Sequence, residues 1–392
     1  MKVLVVAPQP FYQERGTPIA VDLLLKTLSD RGDEVDLLTF HEGSDRSYPG
    51  LKIVRIKPWF PVRNIKPGFS LKKLICDAHL FAQFLHLMTI QKYDLVHALE
   101  EAAFMALLAC PIRKVPYIYD MDSSMTTQLI DKMKPLKKIE GFLRLLEGLP
   151  MRSADIVMPM CDALAEEARF RGAKSVIVLK DVSLVGYGTE TDTVLHLKKE
   201  LGADKKIVMY IGNLEFYQGM NLFLESVSLI YKDLPEMSVV IIGGADLDIE
   251  KYRHLSKKLG LEQVVHFYGK KPVADIAAYM RQADLLVSPR IQGVNTPMKV
   301  YSYLHSKTAV LASDLPTHTQ VMTSKIAVLA KAEAPSFSDA MKRIICDDVR
   351  REELALEAYH YIEKEHSYEV FKQQVNKAYG LLVPEKKPHG SA

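Results

Sequence analysis

Short apolar runs, each followed by a loop and then by a segment with helical apolar spacing, recur along this chain. Lys2–Ala7 is nearly all Val, Leu and Ala, Ile19–Arg31 has helical spacing, and Val35–Phe40 is a second apolar run. This succession of strand, loop, helix and strand predicts a βαβ unit, whose strands run parallel. A second series of the same kind begins at Lys206–Ile211. The sequence therefore predicts an α/β protein with two such domains.

The apolar pattern lapses between Asp181 and Thr193, and we place the domain boundary there. A length of 392 residues also favours two domains over one. The predicted domains are residues 1–182 and 183–365. A C-terminal helix and a mobile tail are expected over residues 366–392.

Composition and charge exclude several classes of protein. A net charge of +3 gives no basic footprint for nucleic acid, so no nucleic-acid partner is expected. The four cysteines form no CxxC pair and suit a reducing compartment. The apolar start is too short for a signal peptide, and Ala102–Pro111, the longest other apolar run, is about half of a membrane span. We therefore expect a cytoplasmic protein.

The stretch that follows the strand Leu285–Ser288 is predicted to bind an anion. Thr296 is a favourable N-cap and Pro297 suits the first helical position, so a helix is expected from Pro297 onward. Its free N–H groups and dipole would attract a phosphate or diphosphate. Lys299, in the first turn, is unfavourable for the dipole by about 0.3–1 kcal/mol unless an anion lies nearby. The alternative is a solvated lysine on an ordinary helix.

Glycine and small polar residues follow several predicted strands of the second half. Ligands of α/β proteins bind at the carboxyl ends of parallel strands, where such residues let a ligand approach the backbone. Turn formation alone also places glycine there. The residues concerned are Gly212, Asn213, Gln218, Gly219 and Gly269.

The first half offers a similar loop and a pair of acids. Gly16 lies in the loop after the first strand, although that loop lacks the GxGxxG dinucleotide fingerprint. Asp120 and Asp122 follow the strand Val115–Tyr119. Paired carboxylates can hold a divalent cation near a diphosphate, but two acids are an incomplete ligand set. No metal site is predicted.

Two basic segments suggest contact with an anionic membrane surface. Arg46–Cys76 holds eight Lys or Arg residues and no acid, together with the only Trp. Lys132–Lys138 is a second cluster, followed by an amphipathic segment. Each basic residue near such a surface contributes about 1 kcal/mol. The first interpretation predicts a peripheral association at the inner face of the membrane. The alternative, that these are solvated loops, stays open.

Taken together, these segments resemble the glycosyltransferases of family 4 over nearly the whole chain. Arg15-Gly16-Thr17-Pro18 is similar to the family's glycine loop. Tyr210–Gly219 resembles its Y-x-G-x-L…K-G segment, and Val265–Gly269 resembles V-x-F-x-G. Ala283–Pro289 resembles A-D-x-x-x-x-P-S. Lys299–Ser313 resembles K-x-x-E-Y-L-A-x-G-x-P-V-V-A-S.

The resemblance implies the GT-B architecture, in which two Rossmann-like domains face a central cleft. It implies an enzyme that moves a sugar from a nucleotide-sugar donor to a glycan or lipid-linked acceptor, with no metal and no cofactor. The donor would bind the second domain, and the acceptor would bind the first. The predicted donor-binding residues are Gly16, Thr17, Gly212, Asn213, Gln218, Gly219, Gly269, Arg290, Asn295, Thr296, Pro297, Lys299 and Ser302.

The sequence departs from the family at its acidic positions. The E-x7-E pair falls on Val294 and Ser302, and a serine hydroxyl is a weaker partner for a ribose diol than a carboxylate is. Asp122 falls where the family often has a histidine lining the acceptor site. The resemblance therefore makes Asp122 the predicted catalytic residue, as a general base or as a hydrogen-bond acceptor for the substrate.

The cationic positions differ as well. The Arg and Lys that usually neutralise the diphosphate fall on Asn213 and Gln218, which carry no charge. Arg290 and Lys299 are the nearest cations, and we predict that one of them takes this role.

Two other functions remain open on the sequence. A non-catalytic partner subunit is favoured by the missing glutamates and opposed by the retained Gly16 and Gly219. A nucleotide-sugar epimerase on the same scaffold would need several acid–base groups, and Asp122 is the one candidate placed near the site.

Overall fold

The protein divides into two compact units, residues 1–181 with 371–392, and residues 182–370. The C-terminal segment thus belongs to the first unit. The computed structural model describes residues 1–13, 16–59, 62–65, 70–185, 196–202, 204–293 and 296–382. Arg15, Val294, Asn295 and the predicted mobile tail after residue 382 lie outside these residues.

Helices separate the six strands of the first unit, except the second from the third, and a short 3-10 helix, Lys134–Ile139, separates two of those helices. The strands are β1 Lys2–Ala7, β2 Glu34–Thr39, β3 Leu51–Arg55, β4 Leu95–Leu99, β5 Tyr117–Met121 and β6 Ile156–Pro159. The helices are α1 Gly16–Asp30, α2 Leu71–Ile90, α3 Ala102–Arg113, α4 Met125–Lys132, α5 Glu140–Ser153 and α6 Asp162–Phe170.

The second unit repeats this alternation, with a 3-10 helix at Phe216–Gln218. Its strands are β7 Lys206–Ile211, β8 Met237–Ile242, β9 Val265–Gly269, β10 Leu285–Ser288, β11 Ala309–Ser313 and β12 Val328–Ala330. Its helices are α7 Leu197–Leu201, α8 Met220–Ile230, α9 Asp246–Lys258, α10 Val273–Met280, α11 Met298–His305, α12 Pro316–Thr319, α13 Ala334–Cys346 and α14 Asp348–Glu365. A final helix, α15 Tyr368–Leu382, follows.

Both sheets are parallel and share one topology. The first has the order β3-β2-β1-β4-β5-β6, and the second has the order β12-β11-β10-β7-β8-β9. In each sheet the second and third strands in sequence are added on one side of the first strand, and the last three are added on its other side. The prediction of two parallel βαβ domains is confirmed. Ligands of such sheets bind at this switch point, which lies between β1 and β4 in the first unit and between β7 and β10 in the second.

The central strands are buried on both faces, which explains why their sequences read as continuous apolar runs. Every residue of β4 and of β10 is buried. Because these central strands are covered on both faces, a ligand can approach them only where they end. None of the described helices combines the length and the apolar character that a membrane span requires.

The structure corrects the predicted start of the helix after β10. The helix α11 begins at Met298, and Pro297 is its cap residue, with φ −73° and ψ 138° and no side-chain capping bond. Thr296 therefore precedes the cap and does not act as the N-cap. The reason is that proline fixes φ but leaves ψ free, so Pro297 can be the last extended residue and need not be the first helical one.

Part of the first basic segment also has regular structure. It contains β3, which pairs with β2 at the edge of the first sheet, and the first turns of α2. The Ser70 hydroxyl caps α2 by accepting from the Lys73 amide at 3.2 Å. Phe60, Pro61 and residues 66–69 lie outside the described part of the chain.

A glycine brings the 3-10 turn before α8 against the end of β10. Gly219 has a φ of +75°, and a Cβ on it would lie 1.8 Å from the Pro289 carbonyl oxygen. The Ile291 amide donates to the Tyr217 carbonyl at 3.0 Å, which holds the two segments together. The position therefore requires glycine on both steric and conformational grounds.

We expect Gly219→Ala to lower the free energy of unfolding by more than about 1 kcal/mol, because alanine disfavours positive φ and its Cβ would overlap the Pro289 carbonyl. Urea denaturation followed by circular dichroism measures this. Gly16→Ala is the matched control, since a Cβ on Gly16 meets nothing within 4 Å. Equal stabilities of the Gly219 variant and the control would contradict the close approach.

Candidate functional site

Residues from three segments meet at the switch point of the second sheet. Gly212 follows β7, Gln218 ends the 3-10 turn, and Lys299 lies in the first turn of α11. The Lys299 Nζ donates to Gln218 Oε1 at 3.0 Å and lies 4.1 Å from the centroid of the Tyr210 ring. A Cβ on Gly212 would lie 3.2 Å from the same Nζ, and its φ is +152°. Glycine there leaves room for the lysine head group at the strand end.

Arg290 supplies a second cation at this edge. It follows β10, and its guanidinium lies 4.9 Å from the centroid of the Tyr217 ring. Its Nη1 donates to the Thr317 hydroxyl at 2.7 Å, and its carbonyl accepts from the Ser313 hydroxyl at 2.5 Å. Both the backbone and the side chain of Arg290 are therefore fixed by neighbouring elements.

Burial acts on both of these groups, and like charge acts on Lys299. Burial lowers the pKa of Arg290. Burial, and then the charge of Arg290, holds the pKa of Lys299 well below its usual range. Two cations so placed repel each other, and an anion between them would relieve that repulsion. The two candidate cations, of which one was predicted to neutralise the diphosphate, therefore lie near each other within one unit.

Asn213 and Gln218 take different positions at this edge. The Asn213 side chain is exposed, and its carbonyl accepts from the Tyr210 hydroxyl at 2.5 Å. Gln218 is buried and orients Lys299 through the bond already described.

The remaining predicted donor-binding residues of this unit are not gathered as closely. The Ser302 hydroxyl is buried and accepts from the Leu184 amide at 3.1 Å, so it already serves a structural bond. Gly269 ends the edge strand β9, two strands away from β7. Thr296 is buried just before α11, and Asn295 lies outside the described residues.

In the first unit the structure brings Gly16, Thr17 and Asp122 together. Gly16 and Thr17 begin α1, and the Thr17 side chain hydrogen-bonds to the Asp122 carboxylate. Nothing in the described protein lies within 4 Å of a Cβ on Gly16, so the space beside this helix start is open. Burial, followed by the charges of Asp120 and Glu100, raises the pKa of Asp122 well above its ordinary value.

Two further carboxyl groups lie at the carboxyl edge of the first sheet and were not predicted from the sequence. Glu100 directly follows β4, and burial raises its pKa to about 7, although a 3.0 Å bond from the Ser123 hydroxyl opposes the shift. Burial, together with the charge of Asp120, also raises the pKa of Asp181 to about 7. The strand-end rule could have identified Glu100. Asp181 comes from a distant part of the chain, and no local pattern indicates it.

Asp120, the other member of the acidic pair, takes part in a chain of buried hydrogen bonds. Its Oδ2 bonds the buried His97 Nε2 at 3.0 Å, and the Tyr379 hydroxyl bonds His97 Nδ1 at 2.9 Å. This chain of bonds attaches α15 to the first sheet. Within the part of the chain that the structure describes, no three His, Cys, Asp or Glu side chains are grouped to hold a metal ion.

Two family models match the chain, one for each unit. The model described as "Glycosyl transferase 4-like domain" matches residues 15–179. The model described as "Glycosyl transferases group 1" matches residues 191–361. The second match contains Arg290 and Lys299, and the first contains Gly16, Thr17 and Asp122.

Curated relatives align with part of the chain. A D-inositol 3-phosphate glycosyltransferase of Corynebacterium glutamicum is 25% identical over 44% of this chain and 43% of its own length. A phosphatidyl-myo-inositol mannosyltransferase of Mycobacterium tuberculosis is 23% identical over 66% of each chain. The chain thus spans less than half the length of the first of these relatives.

Solved structures share the fold over almost the entire chain. Anabaena HepE in complex with UDP has a TM-score of 0.74 at 17% identity, covering 97% of this chain and 100% of that one. A sucrose-phosphate synthase from Thermosynechococcus elongatus has a TM-score of 0.74 at 18% identity, covering 97% and 98%. These likenesses confirm the predicted GT-B fold.

The raised pKa of Glu100 gives a prediction on stability. The folded protein retains the Glu100 proton up to about pH 7, whereas an ordinary glutamate has a pKa of 4.5. The protonated carboxyl therefore contributes to the free energy of unfolding at low pH, and this contribution is lost as the pH rises through 7. Glu100→Gln, which stays neutral, should raise the free energy of unfolding at pH 8, on the order of 2 kcal/mol, and change it little at pH 4. Urea titrations at both pH values measure the difference.

Glu166→Gln, on the exposed side of α6, is the control and should leave both values unchanged. A Glu100 variant that is destabilised equally at the two pH values would contradict the crowding of carboxyl groups.

Proposed function

Because the chain belongs to the glycosyltransferases of family 4, we propose that it transfers a sugar from a nucleoside-diphosphate sugar to a glycan or lipid-linked acceptor. In such a reaction the bond between the anomeric carbon and the diphosphate oxygen breaks, and the acceptor oxygen forms a new bond to that carbon. Negative charge develops on the departing diphosphate, and the acceptor hydroxyl loses its proton. The protein must stabilise the negative charge on the diphosphate and assist the removal of the proton from the acceptor hydroxyl.

The observation that carries this proposal is the pairing of Arg290 with Lys299 at the switch point of the second sheet. The Lys299 Nζ is half-buried on the Tyr210 ring and oriented by Gln218, so its position is preset. Preorganised cations of this kind stabilise a developing diphosphate charge. In this account Lys299 and Arg290 take the place of the Arg and Lys that the family carries at Asn213 and Gln218.

On the acceptor side we assign Asp122 to the substrate hydroxyl. Burial and the neighbouring carboxyl groups raise its pKa and so favour its protonated form, and Thr17 hydrogen-bonds to it and fixes its orientation toward a substrate hydroxyl. The mycobacterial relative is named a phosphatidyl-myo-inositol mannosyltransferase, which supports a lipid-linked acceptor.

We also propose that the reaction needs neither a metal nor a cofactor. Two side-chain cations are already available to neutralise the diphosphate, which is the task that a divalent ion performs in other enzymes. Activity with a nucleotide-sugar donor should then survive an excess of EDTA.

A membrane-facing role for the second basic cluster has support from its neighbours. Lys132, Lys134, Lys137 and Lys138 are all exposed. On the following helix α5, Phe142, Leu145, Leu146 and Leu149 are exposed at the spacing of one helical face. A basic cluster beside such an apolar stripe is typical of a helix that lies in the membrane interface. We therefore propose a cytoplasmic protein that binds an anionic membrane surface peripherally, with the described residues of Arg46–Cys76 as a second contact.

The donor site is tested by Lys299→Gln, which keeps a polar side chain and removes the charge. A charge-assisted hydrogen bond to phosphate is worth about 1.5–3 kcal/mol, so the Kd for UDP should rise roughly 10- to 100-fold. Isothermal titration calorimetry with UDP measures this.

The control is Lys325→Gln. Lys325 is exposed and precedes β12, so it lies at the amino ends of the strands, whereas the proposed site lies at their carboxyl ends. Unchanged affinity in the Lys299 variant would remove this residue from the site. If no nucleoside diphosphate bound the wild-type protein, the non-catalytic partner subunit would become the better explanation.

Membrane binding is tested by flotation with vesicles containing anionic lipid. The wild type should float at low salt and less at high salt, because the attraction is screened. Replacing the four lysines of the 132–138 cluster with Gln should reduce flotation at low salt. The same four changes at exposed lysines of the second unit are the control. No flotation of the wild type at low salt would end this proposal.

A further inference from the structure

A buried histidine of the second unit joins the ends of two neighbouring strands. His318, in α12, is fully buried. Its Nε2 lies 2.8 Å from the Ser288 hydroxyl at the end of β10. Its Nδ1 lies 2.8 Å from the Ser313 carbonyl oxygen at the end of β11. The imidazole thus spans the edge of the sheet from which the Arg290 segment emerges.

The partners fix the tautomer of this ring. A carbonyl oxygen can only accept a hydrogen bond, so the proton is on Nδ1 and the Ser288 hydroxyl donates to Nε2. Burial lowers the pKa of His318 to about 4, and the nearby charges of Lys299 and Arg290 act in the same direction. His318 is therefore neutral at physiological pH and adds no third positive charge to the edge.

Besides the Tyr217 ring, two hydrogen-bonded contacts of Arg290 lead back to this histidine. The Ser313 hydroxyl donates to the Arg290 carbonyl at 2.5 Å, and the carbonyl oxygen of the same serine accepts from His318 Nδ1. The Thr317 hydroxyl, which accepts from Arg290 Nη1 at 2.7 Å, belongs to the residue next to His318 in α12. A displacement of the ring would therefore move both the backbone and the guanidinium of Arg290.

We infer that His318 is a positioning residue for anion binding: as a neutral Nδ1–H tautomer it holds Arg290 where a nucleoside diphosphate would meet it. The inference rests on the proposed donor site, which it deepens. The histidine touches no substrate atom and acts through Ser288, Ser313 and Thr317. Its neutrality matters as much as its shape, because a protonated ring could not accept from Ser288 and would add to the repulsion between the two cations.

The test is a double-mutant cycle between His318 and Arg290, read out by UDP calorimetry. His318→Asn retains an amide donor for the Ser313 carbonyl and loses the acceptor for Ser288. We expect it to weaken UDP binding at least fivefold in the wild-type background, and less than twofold when Arg290 is already Gln. Equal losses in the two backgrounds, or none in either, would overturn the inference.

Two further variants guard against a loss of folding. Ser288→Ala removes only the hydroxyl that donates to Nε2 and should show the same dependence on Arg290. His266 lies on β9, the outermost strand on the other side of β7 from β10. His266→Asn should therefore leave UDP affinity unchanged in both backgrounds. An Arg290-independent loss in the Ser288 variant would count against the positioning role.

A second readout separates this inference from the proposed function. Long-range ¹H–¹⁵N spectra at pH 7 should show His318 as the neutral Nδ1–H tautomer, and the Arg290 Nε–H signal should shift in the His318→Asn variant. If the wild type bound no UDP but these spectra were as expected, the proposed function would fall while the positioning role stood. A protonated or Nε2–H ring at pH 7 would overturn the inference whether or not UDP bound.

Discussion

The contact between Gly219 and the Pro289 carbonyl is the constraint on which the arrangement of the second unit depends. With no Cβ in the way, the 3-10 turn lies directly against the end of β10. That approach places Gln218 within bonding distance of Lys299, and it places the Tyr217 ring beside Arg290. Any other residue at position 219 would separate these segments, and the two cations would lose their common support.

Each unit gathers groups of like charge at the carboxyl edge of its sheet. In the second unit Arg290 and Lys299 are the concentrated charges, and in the first unit they are Asp122, Glu100 and Asp181. Like charges in a low-dielectric setting destabilise each other, and a ligand of the right kind removes the cost. A cationic edge suits the diphosphate of a donor. An acidic edge whose carboxyl groups have raised pKa values suits the hydroxyl of an acceptor.

The fold could be predicted from the sequence because periodicity and turn residues are local. Short stretches of sequence were enough to predict β1, β7 and the change from strand to helix spacing. A short stretch also gave the expectation that Lys299 needs a nearby anion. The start of α11 was misplaced by one residue because the ψ of Pro297 depends on its surroundings. The bond from Leu184 to Ser302 escaped notice because it joins segments 118 residues apart in the chain.

The site itself is built largely from such distant pairs. His318 reaches Ser288 across 30 residues, and Tyr379 reaches His97 across 282. Both are histidine contacts inside a packed core, where the sequence shows only an isolated histidine near apolar residues. Pattern and family resemblance identified the edge of each sheet, whereas the particular partners are set by packing.

If a diphosphate binds between Arg290 and Lys299 at the carboxyl edge of the second sheet, a crystal of the protein soaked with UDP should show it there. We expect diphosphate oxygens at about 2.7–2.9 Å from the Lys299 Nζ and from the Arg290 guanidinium, as in other charge-assisted hydrogen bonds. UDP bound elsewhere, with both cations still in contact with protein groups alone, would contradict it.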